Sequence, residues 1–186
     1  MTSRTVSEAS ASLIVRPVDV ADLDAIQRIY AHHVLNGLAS FEETPPEAAE
    51  LTRRWRVIVE AGLPYLCAAE TDTGPILGYA YAGTYRPRSA YRFTVEDSVY
   101  VAPGAGGRGV GRSLLRALID RCTELGKRQM IAVIGDSGND ASIGLHRACG
   151  FTTVGTFASI GFKHGQWVDS VLMQRPLGPG SGTLPS

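Results

Sequence analysis

The sequence carries no excess charge of either sign: 18 Lys and Arg stand against 18 Asp and Glu, interspersed along 186 residues. Such a balance offers no basic face for nucleic acid and no acidic tail, so small molecules are the expected partners. Long apolar runs are also missing. A bilayer span needs roughly 18 to 20 consecutive apolar residues, no stretch approaches that, and no membrane contact is expected. Cysteine is scarce: Cys67, Cys122 and Cys149 lie far apart in apolar segments. With no CxxC or Cys/His ligand spacing, they read as reduced core thiols of a cytoplasmic protein. His32, His33 and His164 show no metal-ligand spacing with other donors, and no metal is expected. Residues 1–11 lack the apolar stretch of a signal peptide and read as a flexible leader. Residues 12–176 read as one domain, and the Gly/Pro/Ser-rich 177–186 as a disordered tail.

What is present in quantity is glycine, and its densest cluster organises the chain. A β-like segment ending Val99-Tyr100-Val101 runs into five glycines between positions 104 and 111. Leu114, Leu115, Leu118, Ile119, Cys122 and Leu125 then recur at helical spacing. Glycines let a backbone approach a ligand closely, and the first N–H groups of a helix lack internal partners, so an anion sits well there. Arg108 and Arg112, one helical turn apart, add positive charge at the same end. The turn therefore points to a phosphorylated ligand. Gly104-x-Gly106-x-x-Gly109 is the letter pattern of a dinucleotide site, with Asp136 after the next apolar strand as a ribose-binding acid. Gly109-x-Gly111 equally fits the last two positions of a pyrophosphate loop that binds acetyl-CoA. That loop pattern begins with Gln or Arg, where this chain has Gly106.

The order of elements separates these readings. Leu13 to Arg16 is a short strand stopped by Pro17. Asp19 caps a helix with a buried stripe of Leu23, Ile26, Ile29, Tyr30 and Leu35, ended by Asn36-Gly37. Thr44 and Pro45 open a second helix carrying Leu51, Trp55, Ile58 and Val59. Three strands follow, 65–70, 76–81 and 91–101, the first two joined by a turn at 71–75. After the central helix, 130–134 is too apolar throughout to be half exposed and reads as an interior parallel strand. A short helix, 141–149, closes at Gly150, and 152–162 and 166–173 flank a turn at Lys163-His164-Gly165. The order β-α-α-β-β-β-α-β-α-β-β places the glycine turn past the middle, after an antiparallel meander. A dinucleotide fold would place it at the start of a repeating βαβ half, so that reading is set aside.

This order, with Gly109-x-Gly111 opening the helix and Leu145-His-Arg-Ala-Cys-Gly150-Phe151 later, resembles the GNAT superfamily of acetyl-CoA-dependent N-acetyltransferases. Ser40-Phe41-Glu42, Tyr79-Ala-Tyr81-Ala-Gly83, Arg88-Ser-Ala-Tyr91-Arg92-Phe93-Thr-Val-Glu96, Ala132-Val-Ile-Gly135, Asn139-Asp140 and Gly161-Phe-Lys-His-Gly165-Gln-Trp167 are similar to the phosphinothricin and methionine sulfoximine N-acetyltransferases within it. The resemblance implies a mixed α/β fold, with a mostly antiparallel central sheet flanked by helices. It also implies acetyl-CoA as co-substrate and a homodimer.

Acetyl transfer to an amine requires the amine to lose a proton. A free α-ammonium has a pKa of roughly 7.7 to 8, and a carboxylate or its bound water can accept that proton. Glu96 matches the family's general base, while Asp97 points the other way by alternation unless a bulge shifts the register. By resemblance, main-chain groups of Val99, Tyr100 and Val101 take the pantetheine arm and stabilise the thioester oxygen. Gly107, Arg108, Gly109, Val110, Gly111 and Arg112 hold the pyrophosphate, and Asn139 contacts the cofactor. His146 stands where many superfamily members have a thiolate-protonating tyrosine; a general acid and a structural helix residue are both open. Phe41 and Glu42 resemble the substrate-side loop. Arg86, Arg88 and Tyr91 lead into the Glu96 strand, an arginine there gripping a substrate carboxylate. The implied acceptor is the α-amine of phosphinothricin, methionine sulfoximine or methionine sulfone. A polyamine or protein N-terminal acceptor, and a non-catalytic acyl-CoA sensor, remain alternatives.

Overall fold

The computed structural model describes residues 13–185; the expected leader, 1–11, lies outside them. Strand β1 (Ile14–Pro17) is followed by helices α1 (Leu23–Asn36) and α2 (Ala48–Glu60), and then by the meander β2 (Tyr65–Ala69), β3 (Gly78–Thr84) and β4 (Thr94–Val101). Helix α3 (Val110–Glu124), strand β5 (Gln129–Gly135), helix α4 (Asp140–Ala148) and strands β6 (Thr152–Lys163) and β7 (Gln166–Pro176) complete the expected order. The strands form one seven-stranded sheet, β1-β2-β3-β4-β5-β7-β6. Its one parallel pair is β4 with β5.

Alternation along the strands sends side chains to two separate cores. Leu66, Ala68, Ala80 and Val95 meet Leu114, Leu115 and Leu118 of α3 on one face. Tyr65, Cys67 and Tyr79 meet Ile26, Tyr30 and Val34 of α1 on the other. The α3 periodicity holds up to Cys122, whereas Leu125, just past the helix, is exposed.

Several local expectations are corrected. Pro17 lies within β1 and pairs with Leu66, which an edge strand tolerates because its outer side needs no N–H donor. Asp19 caps a 3-10 turn at Val20–Asp22 that runs into α1, with Asp22 completing a reciprocal capping box. Val34 replaces Leu35 in the buried stripe, and Leu35 and Val59 are exposed. Helix α2 starts at Ala48 rather than Pro45. Pro45 precedes Pro46, and the residue before a proline is driven out of the helical region. Tyr91 sits in a 3-10 turn (Ser89–Tyr91) ahead of β4. Strand β5 is interior to the sheet, yet Val133 is exposed, facing a chamber described below. Leu177 and Gly180 are buried, and Arg128 hydrogen-bonds Gly180 O, Thr183 Oγ1 and Leu184 O, so the start of the expected tail packs against the domain and its end, through Leu184, stays exposed.

Candidate active site

The parallel pairing of β4 and β5 runs only from Thr94↔Gln129 to Asp97↔Ala132. Beyond it, the last residues of β4 keep their antiparallel partners on β3, from Tyr81↔Ser98 to Gly78↔Val101, and lose β5. The strands splay into a wedge. The Ala102 N–H donates to Leu77 O on the β3 side at 2.8 Å, so the Val101 carbonyl faces the wedge, where it accepts from His33 Nε2 at 2.8 Å. No bulge interrupts the β3–β4 register. By the two-residue period, the Val99 N–H and C=O face the wedge as well.

A cleft of about 850 Å³ fills the wedge, lined by Val99, Tyr100 and Val101, by Gly106, Gly107, Gly109, Val110, Gly111 and Arg112, and by Asn139, Ser142 and Leu145 of the α4 wall. Gly109 caps α3 in the left-handed region at φ 80°, which leaves the first N–H groups of the helix facing the cleft. A Cβ on Gly111 would lie 3.1 Å from Leu145 Cδ2, so glycine there lets α3 close against α4. Asn139 caps α4 through Oδ1, which accepts from Ser142 N at 3.1 Å. Arg112 lines the cleft; Arg108 does not, and its guanidinium is paired with Glu70.

On the α1–α2 face, a second chamber of about 480 Å³ is lined by Tyr30, Tyr81, Tyr100, Phe41, Glu42, Glu96 and Ser98, among others. Glu96 and Ser98 come from one strand at even positions and Tyr81 is the cross-strand partner of Ser98, so register alone brings them to one wall. Burial, and then the charge of Asp97, holds the Glu96 carboxyl above its ordinary value. Glu42 accepts from Arg54 Nη1 at 2.6 Å, tying the chamber's edge to α2. A narrow space of about 60 Å³, lined by Ser98, Val99, Tyr100, Asp97 and His146, adjoins both cavities.

Asp97, on the opposite face of β4, meets α4. Its Oδ2 accepts from His146 Nε2 at 2.9 Å, while His146 Nδ1 donates to Ser142 O at 2.8 Å. Both residues are buried.

The structure thus brings together Glu96, Phe41 and Glu42 in one chamber, and the Val99–Val101 strand, the glycine turn, Arg112 and Asn139 in the adjoining cleft. It does not bring Arg86, Arg88 or Tyr91 to the chamber wall. Arg86 stacks over the rings of Tyr85 and Tyr91 at 5.2 and 5.8 Å, a self-contained cluster in the β3–β4 connection. Sequence reading passed over His33, Ala39 and Ser142 as cleft residues. Only the relative placement of α1 and α4 against β4 reveals them. Cys67, Cys122 and Cys149 are all buried; burial pushes the Cys67 thiol up to about 11 and the Cys122 thiol up to about 12. Among the described residues no helix is long and apolar enough to cross a membrane.

The sequence pattern of the acetyltransferase (GNAT) family matches residues 26–151. The chain is 60% identical to a phosphinothricin N-acetyltransferase from Alcaligenes faecalis, over 95% of this chain and 89% of that protein. It is 42% identical to an L-methionine sulfoximine/L-methionine sulfone acetyltransferase from Pseudomonas paraeruginosa, over 90% of this chain and 96% of that protein. The crystal structure of a phosphinothricin acetyltransferase from Sinorhizobium meliloti in complex with AcCoA superposes with a TM-score of 0.90 at 50% identity, covering 94% of this chain and 93% of that one.

Proposed function

The chain belongs to the GNAT acetyltransferase family and is an acetyl-CoA-dependent N-acetyltransferase, and we propose that its acceptor is the α-amine of a small amino-acid analogue of the phosphinothricin and methionine sulfoximine class. The observation that carries this reading is the contact between the two cavities: a chamber with a perturbed carboxylate, Glu96, meets the cleft at Ala39 and Tyr100, beside the outward-facing backbone of Val99.

In this reading, the 850 Å³ cleft takes acetyl-CoA. The N–H groups of the glycine turn and of the start of α3, with Arg112, receive its pyrophosphate. Glu96 or its bound water takes the proton of the acceptor ammonium. As the N–C bond forms and the C–S bond breaks, the Val99 N–H donates to the oxygen on which negative charge develops. The departing thiolate, a far better leaving group than an alkoxide, can take its proton from water afterwards. Both ring nitrogens of His146 face acceptors within 2.9 Å, so we assign it to fastening α4 against β4 rather than to protonating the thiolate. Transfer is direct, since the cysteines are buried, their thiols held in the protonated form, and they line neither cavity.

One observation favours a second acceptor class. The chamber is lined by two carboxylates, Glu96 and the Arg54-paired Glu42, and by no cation, which suits an acceptor with two ammonium groups, such as a polyamine. Thiol release from acetyl-CoA across methionine sulfone, phosphinothricin, spermidine and a peptide decides between them. Methionine sulfone and phosphinothricin are expected to turn over fastest. Fastest turnover of spermidine would move the assignment to polyamines, and tight acetyl-CoA binding with no turnover would make the chain a sensor.

We place the enzyme in the cytoplasm, as a homodimer. Strand β6 is an edge strand with Val154, Phe157, Ile160 and Phe162 exposed beside Trp167. The same edge of a second copy would satisfy its open backbone groups and cover these side chains by two-fold symmetry. Light scattering coupled to size exclusion is expected to give twice the mass of one chain, and Trp167→Glu a shift towards monomer.

A further inference from the structure

The segment 38–42 lines both cavities: Leu38 and Ala39 border the cleft, and Ala39, Ser40, Phe41 and Glu42 border the chamber. It has no secondary structure of its own to hold it there. Its fixings come from outside. Gly135 ends β5 so close beneath it that a Cβ would lie 2.5 Å from Leu38 O. The Phe41 ring lies over two glycines, with a Cβ on Gly161 falling 2.5 Å from Cε2 and one on Gly135 falling 3.0 Å from Cε1. Tyr30 OH and Ser40 Oγ are 3.0 Å apart. The fourth fixing is Lys163.

Lys163 ends β6 next to the two-residue turn His164-Gly165, both at positive φ, and its side chain points inward at 2% exposure while its neighbour Phe162 is exposed. Its Nζ donates to Ser40 O at 2.6 Å, and no carboxylate among the described residues pairs with it. An ammonium buried with a carbonyl partner, and with Glu42 and Glu43 acting on it only from a distance, costs folding free energy that an apolar side chain of similar length would not. What the lysine secures is the position of one carbonyl in the wall between the two cavities.

We propose that Lys163 is a positioning residue for the acceptor: from the β6–β7 hairpin it holds the Ser40 carbonyl, and thereby the Phe41-Glu42 wall, in the one placement that shapes the chamber. The proposal rests on the reading that the 480 Å³ chamber takes the amine. It makes the hairpin, remote in sequence from segment 38–42 and from Glu96, a determinant of which acceptor fits.

Lys163→Met keeps the length and apolar stem and removes the donor. Losing a hydrogen bond from a charged group should speed amide exchange across 39–43, and raise the acceptor KM, each by about tenfold. The acetyl-CoA KM should stay within about twofold, because its contacts lie on β4 and α3. The melting temperature should not fall, since a buried charge has been removed. Lys163→Arg, which keeps a donor, should recover part of the acceptor KM. Unchanged exchange at 39–43, or an acceptor KM that does not move relative to that of acetyl-CoA, would overturn the proposal. Should Lys163→Met fail to fold, Lys163→Gln, which keeps a weaker donor, is measured instead, and Gly161→Ala, two residues earlier on the same strand face, displaces the Phe41 ring directly; an acceptor KM unmoved in both would overturn the proposal. No turnover of any amine by the wild-type enzyme would overturn the chamber reading itself, while the exchange measurement still decides whether Lys163 holds the wall.

Discussion

His146 and Asp97 meet in the interior, Nε2 to Oδ2 at 2.9 Å, an ion pair whenever the imidazole is protonated. The partners favour the protonated ring: Nδ1 sits 2.8 Å from the Ser142 carbonyl, which only accepts, and Nε2 faces a carboxylate oxygen. Burial pushes the imidazole pKa down, but the Asp97 hydrogen bond and charge, with the Ser142 carbonyl, push it up further, so it ends above 6.5. The pair ties α4, whose Ala141, Ser142 and Leu145 line the cleft, to β4 at the last residue that still pairs with β5.

A histidine whose folded pKa is raised binds its proton more tightly folded than unfolded. Its stabilisation is complete below about pH 6.5 and is lost as pH rises through the raised folded value. Melting temperatures followed from pH 5.5 to 9 should therefore fall more steeply for the wild type than for His146→Gln. Asp97→Asn, which leaves the imidazolium buried with a neutral partner, should cost about 3 to 5 kcal/mol near pH 6. Parallel curves for wild type and His146→Gln would show that the histidine is neutral.

Glu96 gives a pH dependence of opposite origin. Its carboxyl is held above its ordinary value by burial and by Asp97, and only the carboxylate accepts a proton. Activity should rise with pH through that raised pKa, giving kcat/KM an acid limb above 4.5. Glu96→Gln should lower kcat by about 10²- to 10⁴-fold at pH 7, with the loss shrinking at high pH as free amine accumulates. A variant with an unchanged acid limb would remove Glu96 from the proton path.

Much of this site was legible in the letters, and the boundary of legibility is physical. The glycine turn and α3 are local: one strand end, one set of left-handed glycines and one 3.6-residue period specify them without reference to the remainder of the chain. Glu96 follows from alternation along one strand, because β4 has no bulge against β3. Partners that meet through packing are not legible in this way. Asp97 reads only as the residue on the wrong face, since His146 reaches it from 49 positions away. Lys163 reads as a turn residue, and that it spans 123 positions to Ser40 depends on how the hairpin leans over segment 38–42. The misplaced start of α2 is different, because Pro45-Pro46 contained the answer and the capping pattern around Thr44 outweighed it. Arg86 lies off the chamber wall for a third reason: neighbouring aromatics, Tyr85 and Tyr91, supply it with a stacking partner that proximity to Glu96 in sequence does not reveal.

The two arginines of the glycine turn separate by the same logic. Sequence gives them equal claims on a pyrophosphate, and Arg108 lies closer to the departure from the loop pattern at Gly106. In the structure Arg108 is exposed and already paired with Glu70, outside the cleft, while Arg112 lines it. An exposed ion pair contributes about 0 to 1 kcal/mol, so Arg108→Ala should move the acetyl-CoA KM by less than about threefold. Arg112→Ala removes a charge-assisted contact of about 1.5 to 3 kcal/mol, a loss of about 10- to 100-fold in acetyl-CoA affinity. Isothermal titration with CoA and with 3′-dephospho-CoA checks which phosphate is involved. Equal losses for both ligands place Arg112 on the pyrophosphate that they share. A larger loss for Arg108→Ala than for Arg112→Ala would mean that the Glu70 pair opens when the cofactor binds, and that Arg108 then closes over the turn.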